Sequence, residues 1–543
     1  MSGQNIYQTT PLVGQQPGVQ INLPVDRTDR LLQQTGDQTF ATVLKASRGR
    51  IDKPMLVSSD KLKRYLGDAQ SLRESELNST YIQVVDAFTV GAPAAVVMRL
   101  VSSEAVNNYI VIRHGPNDNI SIFEDAPEEI EENDDWFLSI KLADCINEGV
   151  YVQLQRGKTD TEVTLKIRER KYNSKGTEIA TGNILYEITG STDINAVDDF
   201  GQSYYLGNVA ERFYGDWLIV EANQQANVVL TTDAFSSQMV GEGIEPFYEG
   251  SSQITNEDFQ AAAEQIKKTS LQYYYIMTDS SNLALIDALF RAAVYNNRKM
   301  FADIPGNLSP DAAIRWKSLF EWDEQQSMYI DWTWTPIKRQ DPTYKNGVVQ
   351  LSSVGQKVGY SCVRNGNLNG FGLPPLQQPI AGSDYMLTGT NFTQIYQPDV
   401  VEIAALAEAR INPCIYEEYH NASGYVWADS LSGTQKTGIS KLTSAAEITF
   451  WLMHYFGRYS KSHLQKPMGE RIRKQKEELE KVLNWAEASG WLTISKSLGG
   501  VAYTYSVYRN ERYPDDRMDW VINIGIEGVV RQVVGNTNMY SSD

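Results

Sequence analysis

Apolar and polar positions change their spacing several times along this chain, and each change marks a different kind of element. In "GVQINLP", Val19, Ile21 and Leu23 alternate with Gln20 and Asn22. Near the other end, in "DWVINIGIEGVVRQVVGN", Ile522, Ile524 and Ile526 alternate with Asn523, Gly525 and Glu527. A period of two places one set of side chains on one face of a strand. Both ends are therefore expected to carry a strand with one buried face. Such a strand is either tied into its own domain or left as an open edge, whose free N–H and C=O groups template another chain.

Between the ends the pattern alternates in larger blocks. From "TFATVLKASRGRIDKPMLVSS" to "VVDAFTVGAPAAVVMRLV" it runs strand, loop, short helix, longer helix and strand, as in an α/β layer structure. From about 108 to 240 it becomes short strands separated by turns ("NYIVIRHG", "WFLSIKLA", "GVYVQLQRG", "EVTLKIRER", "NILYEITG"), which predicts a β-rich insertion. The α/β pattern then returns. Leu283, Ile286, Leu289, Phe290 and Ala293 form one stripe of a helix lying between the apolar runs "YYYIM" and "KMFADI". That is a βαβ unit, and it requires a partly parallel sheet. Trp332 and Trp334 alternate with Thr333, so both indoles share a strand face, most simply in a core. Toward the C-terminus two helices carry the stripes Ala445, Ile448, Leu452, Tyr455, Tyr459 and Met468, Ile472, Leu479, Val482, Ala486. Pro467 stands near the start of the second and Gly490 just past its end.

Composition narrows the function classes. A chain of 543 residues has room for two to four domains. No run of 18 apolar residues occurs, so no membrane span or insertion is expected. "MSGQNIYQTT" lacks a basic patch followed by an apolar core, so no signal peptide is expected and folding in a cytosol is the default. Cys145, Cys362 and Cys414 are too scattered for a disulfide framework or metal clip and read as buried thiols, and the four histidines form no metal-spaced pair. A net charge of -18 opposes non-specific binding to nucleic acid.

A search for chemistry returns little. "EDAPEEIEENDD" holds eight carboxylates in twelve residues but lacks the D-x-D-x-D-G calcium spacing, so it reads as a solvated acidic loop. In "RGKTD" the phosphate-loop pattern fails, because Val152 stands where its first glycine is required. Neither G-x-S-x-G nor G-x-G-x-x-G is present. No catalytic, cofactor-binding or metal-binding residue is nominated, and no enzyme is expected. One local feature runs against the global charge: Arg458, Lys461, Lys466, Arg471, Arg473, Lys474 and Lys476 face a single acid, Glu470. Such a stretch is either a solvated helix face or a docking patch for an acidic partner.

The order of segments resembles the sheath proteins of contractile phage tails, a family shared with contractile bacteriocins and injection systems. The opening "PGVQINLPVDRTDR…TFATVLKASRGRIDKPMLVSS…LKRYLGD", the segments "FGQSYYLGNV" and "YEGSSQITNEDFQAA", the hairpin "INPCIYEEYHNASGYVWADSLSG" and "MGERIRKQKEELEKVLNWAEASGWL" carry the resemblance. Where the family often has an Arg-rich stretch, "TGISKLTSAAE" stands here. The resemblance implies a multidomain α+β / α/β fold whose discontinuous core is formed by both ends of the chain. Its parts would be an N-terminal linking arm (1–22), an α/β sheath core (23–107 and 241–435), a β-rich outer insertion (108–240) and a tube-facing C-terminal domain (436–543). It further implies stacked hexameric rings round an inner tail tube, with baseplate and tail terminator proteins as further partners, in a virion tail assembled in host cytoplasm. Val19, Ile21, Leu23, Ile522, Ile524, Ile526, Val529 and Val530 would form strands exchanged between subunits, and the seven basic residues would face the tube. The alternatives are a baseplate or capsid component, or a carbohydrate-active protein using the Trp332–Trp334 strand.

Overall fold

The computed structural model describes residues 7–8, 19–20, 38–114, 120–122, 127–130, 136–146, 148–172, 178–179, 182–225, 236–240, 246–344 and 347–533. Its centre is an eight-stranded sheet. In chain order the strands are Thr39–Leu44 (β1), Met55–Ser58 (β2), Ala94–Arg99 (β3), Tyr275–Thr278 (β4), Lys299–Ile304 (β5), Ile330–Trp334 (β6), Ile411–Glu418 (β7) and Ser423–Trp427 (β8). Across the sheet they stand β8-β7-β6-β5-β4-β1-β3-β2. The six inner strands are parallel, with Phe40 opposite Ala95, Ile276 opposite Met300 and Ala302 opposite Trp332, while β2 and β8 close the edges antiparallel. This is the partly parallel sheet that the βαβ pattern required.

Every residue of β1, β3, β4, β5 and β6 is buried; β3 and β4 accordingly read as nearly continuous apolar runs, whereas in β6 the buried Asp331 and Thr333 alternate with Ile330, Trp332 and Trp334. Helices cover both faces. Asn256–Lys268 (α2) and Leu283–Asn296 (α3) pack Phe259, Ile266, Leu285 and Leu289 onto Val43, Ile276, Met300 and Trp332. On the opposite face Ser79–Thr89 (α1) and Val354–Gly366 (α4) pack Val84, Val358 and Cys362 onto Phe40, Tyr275, Met277 and Phe301. Of the α3 stripe, Ile286, Leu289, Phe290 and Ala293 are buried, but Leu283 is 41 % exposed. It is the first helical residue, next to the Asn282 cap whose side chain accepts from the Leu285 N–H, and it projects past the end of the layer.

Residues 110–240 contribute two four-stranded antiparallel sheets round a second core. One runs Leu218–Ala222, Trp136–Leu142, Ile110–His114, Ile120–Ile122, and the other Ile184–Ser191, Glu162–Glu169, Val150–Arg156, Ser236–Val240. Leu138, Ile140, Val152, Leu165, Ile167 and the helix residue Leu206 meet between them. This unit is joined to the central sheet by Asp144–Ile146, which pairs antiparallel with Arg48–Arg50. Buried Arg99 fastens that joint by donating to the carbonyls of Ala46, Gly49 and Cys145.

The C-terminal part consists of helices Thr443–Ser462 (α5) and Met468–Ala488 (α6) and the hairpin Tyr503–Arg509 (β9) and Met518–Ile524 (β10). Ile448, Leu452, Phe456, Leu479, Val482, Leu483 and Trp491 form its core. The strand expected from the Ile522–Ile524–Ile526 alternation ends at Ile524. Gly525 is the reason: its N–H donates to the Ala502 carbonyl, its carbonyl accepts from the Thr493 N–H, and an added Cβ would sit 2.5 Å from the Thr493 oxygen. The chain is gripped from two sides there and leaves the strand path.

Candidate functional site

The features that sequence patterning singles out lie at the chain ends, so the site is built from the C-terminal helices upward. α5 is anchored to the sheet by a buried polar node. Glu447, fully buried on α5, accepts at Oε1 from Arg364 Nη2 at 2.8 Å and from the Tyr275 hydroxyl at 2.6 Å, and at Oε2 from Arg364 Nη1 at 3.1 Å. The Tyr274 hydroxyl donates to the Glu447 carbonyl, and the Asn297 amide to that of Phe450. Burial alone would pull the Arg364 guanidinium down; the Glu447 charge and hydrogen bonds, together with the Tyr275 and Tyr385 oxygens, outweigh this and raise it. The Tyr275 phenol is driven well up by burial and by the same carboxylate. Sequence patterning missed this node. The available signal was a glutamate embedded in "SAAEITF", where the helix is otherwise apolar or small.

α6 docks on α5 through Leu479, Val482 and Ala486, supplemented by Tyr455 donating to Glu478 Oε1 at 2.7 Å. The seven basic residues do not form one continuous surface. Arg458, Lys461, Lys466 and Lys476 are exposed and make no ion pair among the described residues. Arg473 pairs with Glu477 at 2.6 Å and Lys474 with Glu470 at 2.8 Å, one turn away. Arg471 is turned inward, 6 % exposed, with its guanidinium over the Tyr459 ring and Nη2 donating to Gln475 Oε1 at 2.6 Å. Counting Arg471 in an exposed patch is thus corrected: its position on the face of α6 that meets α5 makes it a packing residue.

The hairpin lies on α6, with β9 and β10 in register from Tyr503 opposite Ile524 to Arg509 opposite Met518. Ile522, Ile524 and Ile526 are half-buried against the core of the helix pair. Neither strand has a further ladder partner among the described residues. The terminal strand is therefore tied into its own domain on one face and one edge, and open along the other edge. Beyond Gly525 the chain runs back: Val529 packs near Leu431, Leu442 and Ala445, Val530 is 80 % exposed, and Arg531 pairs with Asp429. At the other end Val19–Gln20 pairs parallel with Tyr7–Gln8. Ile21 and Leu23 lie outside the described residues, as does most of "EDAPEEIEENDD".

Other sequence expectations find their places. Cys145, Cys362 and Cys414 are buried and form no disulfide, and burial pushes the Cys414 thiol up to about 12. Trp332 and Trp334 are 1 % and 0 % exposed, within the sheet core, so they offer no surface to a glycan. Among the described residues no group of three or more His, Cys, Asp or Glu is placed to hold a metal ion, and no helix is long and apolar enough to cross a membrane.

No family model matches this sequence, and no curated protein matches it. Among solved structures the chain is similar to a sheath tail protein from Desulfitobacterium hafniense, with 13% identity over 94% of this chain and 100% of that one and a TM-score of 0.44. It is also similar to a chain of the anti-feeding prophage baseplate (12% identity, 55% of this chain, 77% of that one, TM-score 0.41) and to one of the sheath complex of an extracellular contractile injection system in its contracted state (10%, 52%, 80%, 0.40). With scores below 0.5, the functional reading rests on this chain's own residues.

Proposed function

We propose that this chain is the structural subunit of a contractile sheath. Copies would assemble as stacked six-membered rings round an inner tube, held in a metastable extended state, and contraction would drive the tube through a host cell envelope. The observation that carries the reading is the β9–β10 hairpin: it is fastened to α6 by one apolar face and leaves an edge of backbone N–H and C=O groups open beside the end of the chain. An added strand would be held by main-chain hydrogen bonds, which tolerate changes in side-chain packing, so neighbours stay linked while their bodies rotate. Val19, Ile21 and Leu23 of a neighbouring copy are the proposed incoming strand, with Ile522, Ile524 and Ile526 keeping the receiving hairpin in place and Val529 and Val530 in the link beyond it.

On this reading residues 23–107 and 241–435 are the core, 108–240 the outer domain and 436–543 the tube-facing domain, with tube, baseplate and tail terminator proteins as partners. The exposed cations Arg458, Lys461, Lys466 and Lys476, with Arg473 and Lys474 at their margin, grip an acidic tube. Exposed ion pairs are weak, about 0–1 kcal/mol each, and so release as subunits move outward. No reaction and no cofactor enter. A difference of a few kcal/mol per subunit between extended and contracted lattices, held behind a barrier, supplies the work.

Electron microscopy of the purified full chain tests the proposal, with helical tubes or rods expected. Removing residues 1–22 and the last twenty should abolish them while leaving folded subunits. Closed shells or strict monomers from the intact chain, or unchanged tubes from the truncated one, refute it.

A further inference from the structure

A cavity of about 530 Å³ opens beside the carboxyl ends of β4 and β5, next to the first turn of α1. Its place follows from topology. It lies outside the carboxyl ends of two neighbouring parallel strands, the side of such sheets where ligands enter. Asp279 directly follows β4, Asp303 sits at the end of β5, and both line the cavity. They are held in position: Thr80 of α1 donates to Asp279 Oδ1, and the hydroxyls of Thr333 and Thr335 donate to Asp303 Oδ1 at 2.7 and 3.2 Å.

The remaining walls are of two kinds. Trp316 supplies an indole flank, and its N–H has no protein partner among the described residues. The exposed Asn307 amide likewise has none, and Gln350 spends its N–H on the Thr335 carbonyl, leaving its oxygen available. These walls exclude several ligand classes. No lysine or arginine lines the cavity while Glu76, Asp279 and Asp303 do, so an anion would find no cationic partner there. The acids do not gather closely enough to hold a metal ion. A purely apolar molecule would strand the carboxyl and amide groups. What fits is a molecule with hydroxyls in its plane and C–H groups on its face.

We propose that this cavity binds a neutral carbohydrate of one or two rings, its C–H face stacked on Trp316 and its hydroxyls hydrogen-bonded by Asp279, Asp303, Asn307 and Gln350. The volume lies within the range of small-molecule sites. Burial pushes the Asp303 carboxyl up to about 7, so near neutral pH it donates as well as accepts, which suits a hydroxyl. The site is independent of the sheath reading and stands or falls apart from it.

Titration calorimetry and saturation-transfer NMR on the full chain test it. The probes are D-glucose, D-galactose, N-acetyl-D-glucosamine, cellobiose, lactose and chitobiose, with spermidine and inorganic phosphate as charged controls. At least one sugar is expected to bind with Kd below about 10 mM. Trp316→Ala should weaken it at least about tenfold and Asn307→Ala about threefold or more. Asn307 is exposed, so its variant keeps the fold and remains informative if Trp316→Ala does not fold. No sugar binding with Kd below about 10 mM, wild-type affinity in the Asn307→Ala variant, or binding of spermidine or phosphate alone overturns the proposal.

Discussion

Replacing Glu447 by glutamine keeps the shape of the buried node and removes its negative charge. Arg364, 3 % exposed, would then hold its charge against three neutral acceptors, the Tyr275 hydroxyl, Asn365 Oδ1 and the Gln378 carbonyl. Two unit charges 2.8 Å apart attract by about 6 kcal/mol at an effective dielectric of about 20. The retained amide returns part of this as a neutral hydrogen bond, so the expected loss is about 3–5 kcal/mol. Because the node joins α5 to β4 and α4, the loss should appear first where the helix pair meets the sheet. Hydrogen exchange read by mass spectrometry is the assay: in Glu447→Gln, peptides of α5 and α6 should exchange faster while those of β1, β4 and β5 keep their protection. The double variant Arg364→Met with Glu447→Leu removes both charges together and should recover to within about 1–2 kcal/mol of the original. A single variant within about 0.5 kcal/mol of the parent, or a double variant costing the sum of the two singles, would refute the reasoning.

Three further outcomes are expected. Arg458→Glu, Lys461→Glu and Lys476→Glu should each change unfolding stability by no more than about 0.5 kcal/mol, while Arg471→Glu, which reverses a buried charge under Tyr459, should cost about 3 kcal/mol or more in the same thermal melts. Burial, with the Arg298 and Arg458 charges, holds the His454 imidazole down to about 3, so it stays neutral in the fold and gains a proton on unfolding below its ordinary value near 6.5. Stability should therefore fall as pH drops from about 6.5 toward 3, by up to about 1.4 kcal/mol per unit and less to the extent that water reaches the half-buried ring; urea midpoints of His454→Gln should show a shallower decline than the parent. Gly525→Ala forces a methyl against the Thr493 carbonyl and should destabilise the hairpin by about 1–3 kcal/mol, seen as faster exchange of β9 and β10 with α3 unchanged.

How far the sequence carries depends on whether the deciding information is periodic. The α3 stripe and the apolar runs of β4 and β5 are short-range patterns, and they announced a parallel βαβ unit that the structure contains. Trp332 and Trp334 likewise sit in the core their alternation implied. The end of β10 was not legible, because Ile526 and Val529 continue the apolar pattern while the bend is set by Thr493 and Ala502, far enough back in the chain that no window sees them. The basic stretch shows the same limit. Arg471 and Arg473 read alike in one dimension, yet two residues turn a helix by more than half a revolution, and only Arg471 meets Tyr459. The Arg364–Glu447–Tyr275 node joins residues up to 172 positions apart, and the cavity joins α1, β4, β5 and Trp316. Such sites are products of strand order, which no local spacing encodes.

Where the helix pair is moored has a mechanical meaning. The Tyr275 hydroxyl that meets Glu447 belongs to β4, an interior strand with hydrogen-bonded neighbours on both flanks. A load on the C-terminal helices thus reaches a strand bonded on both flanks, and not a rim strand bonded on one. The hairpin and its covering helices should therefore tear away before the central layer yields.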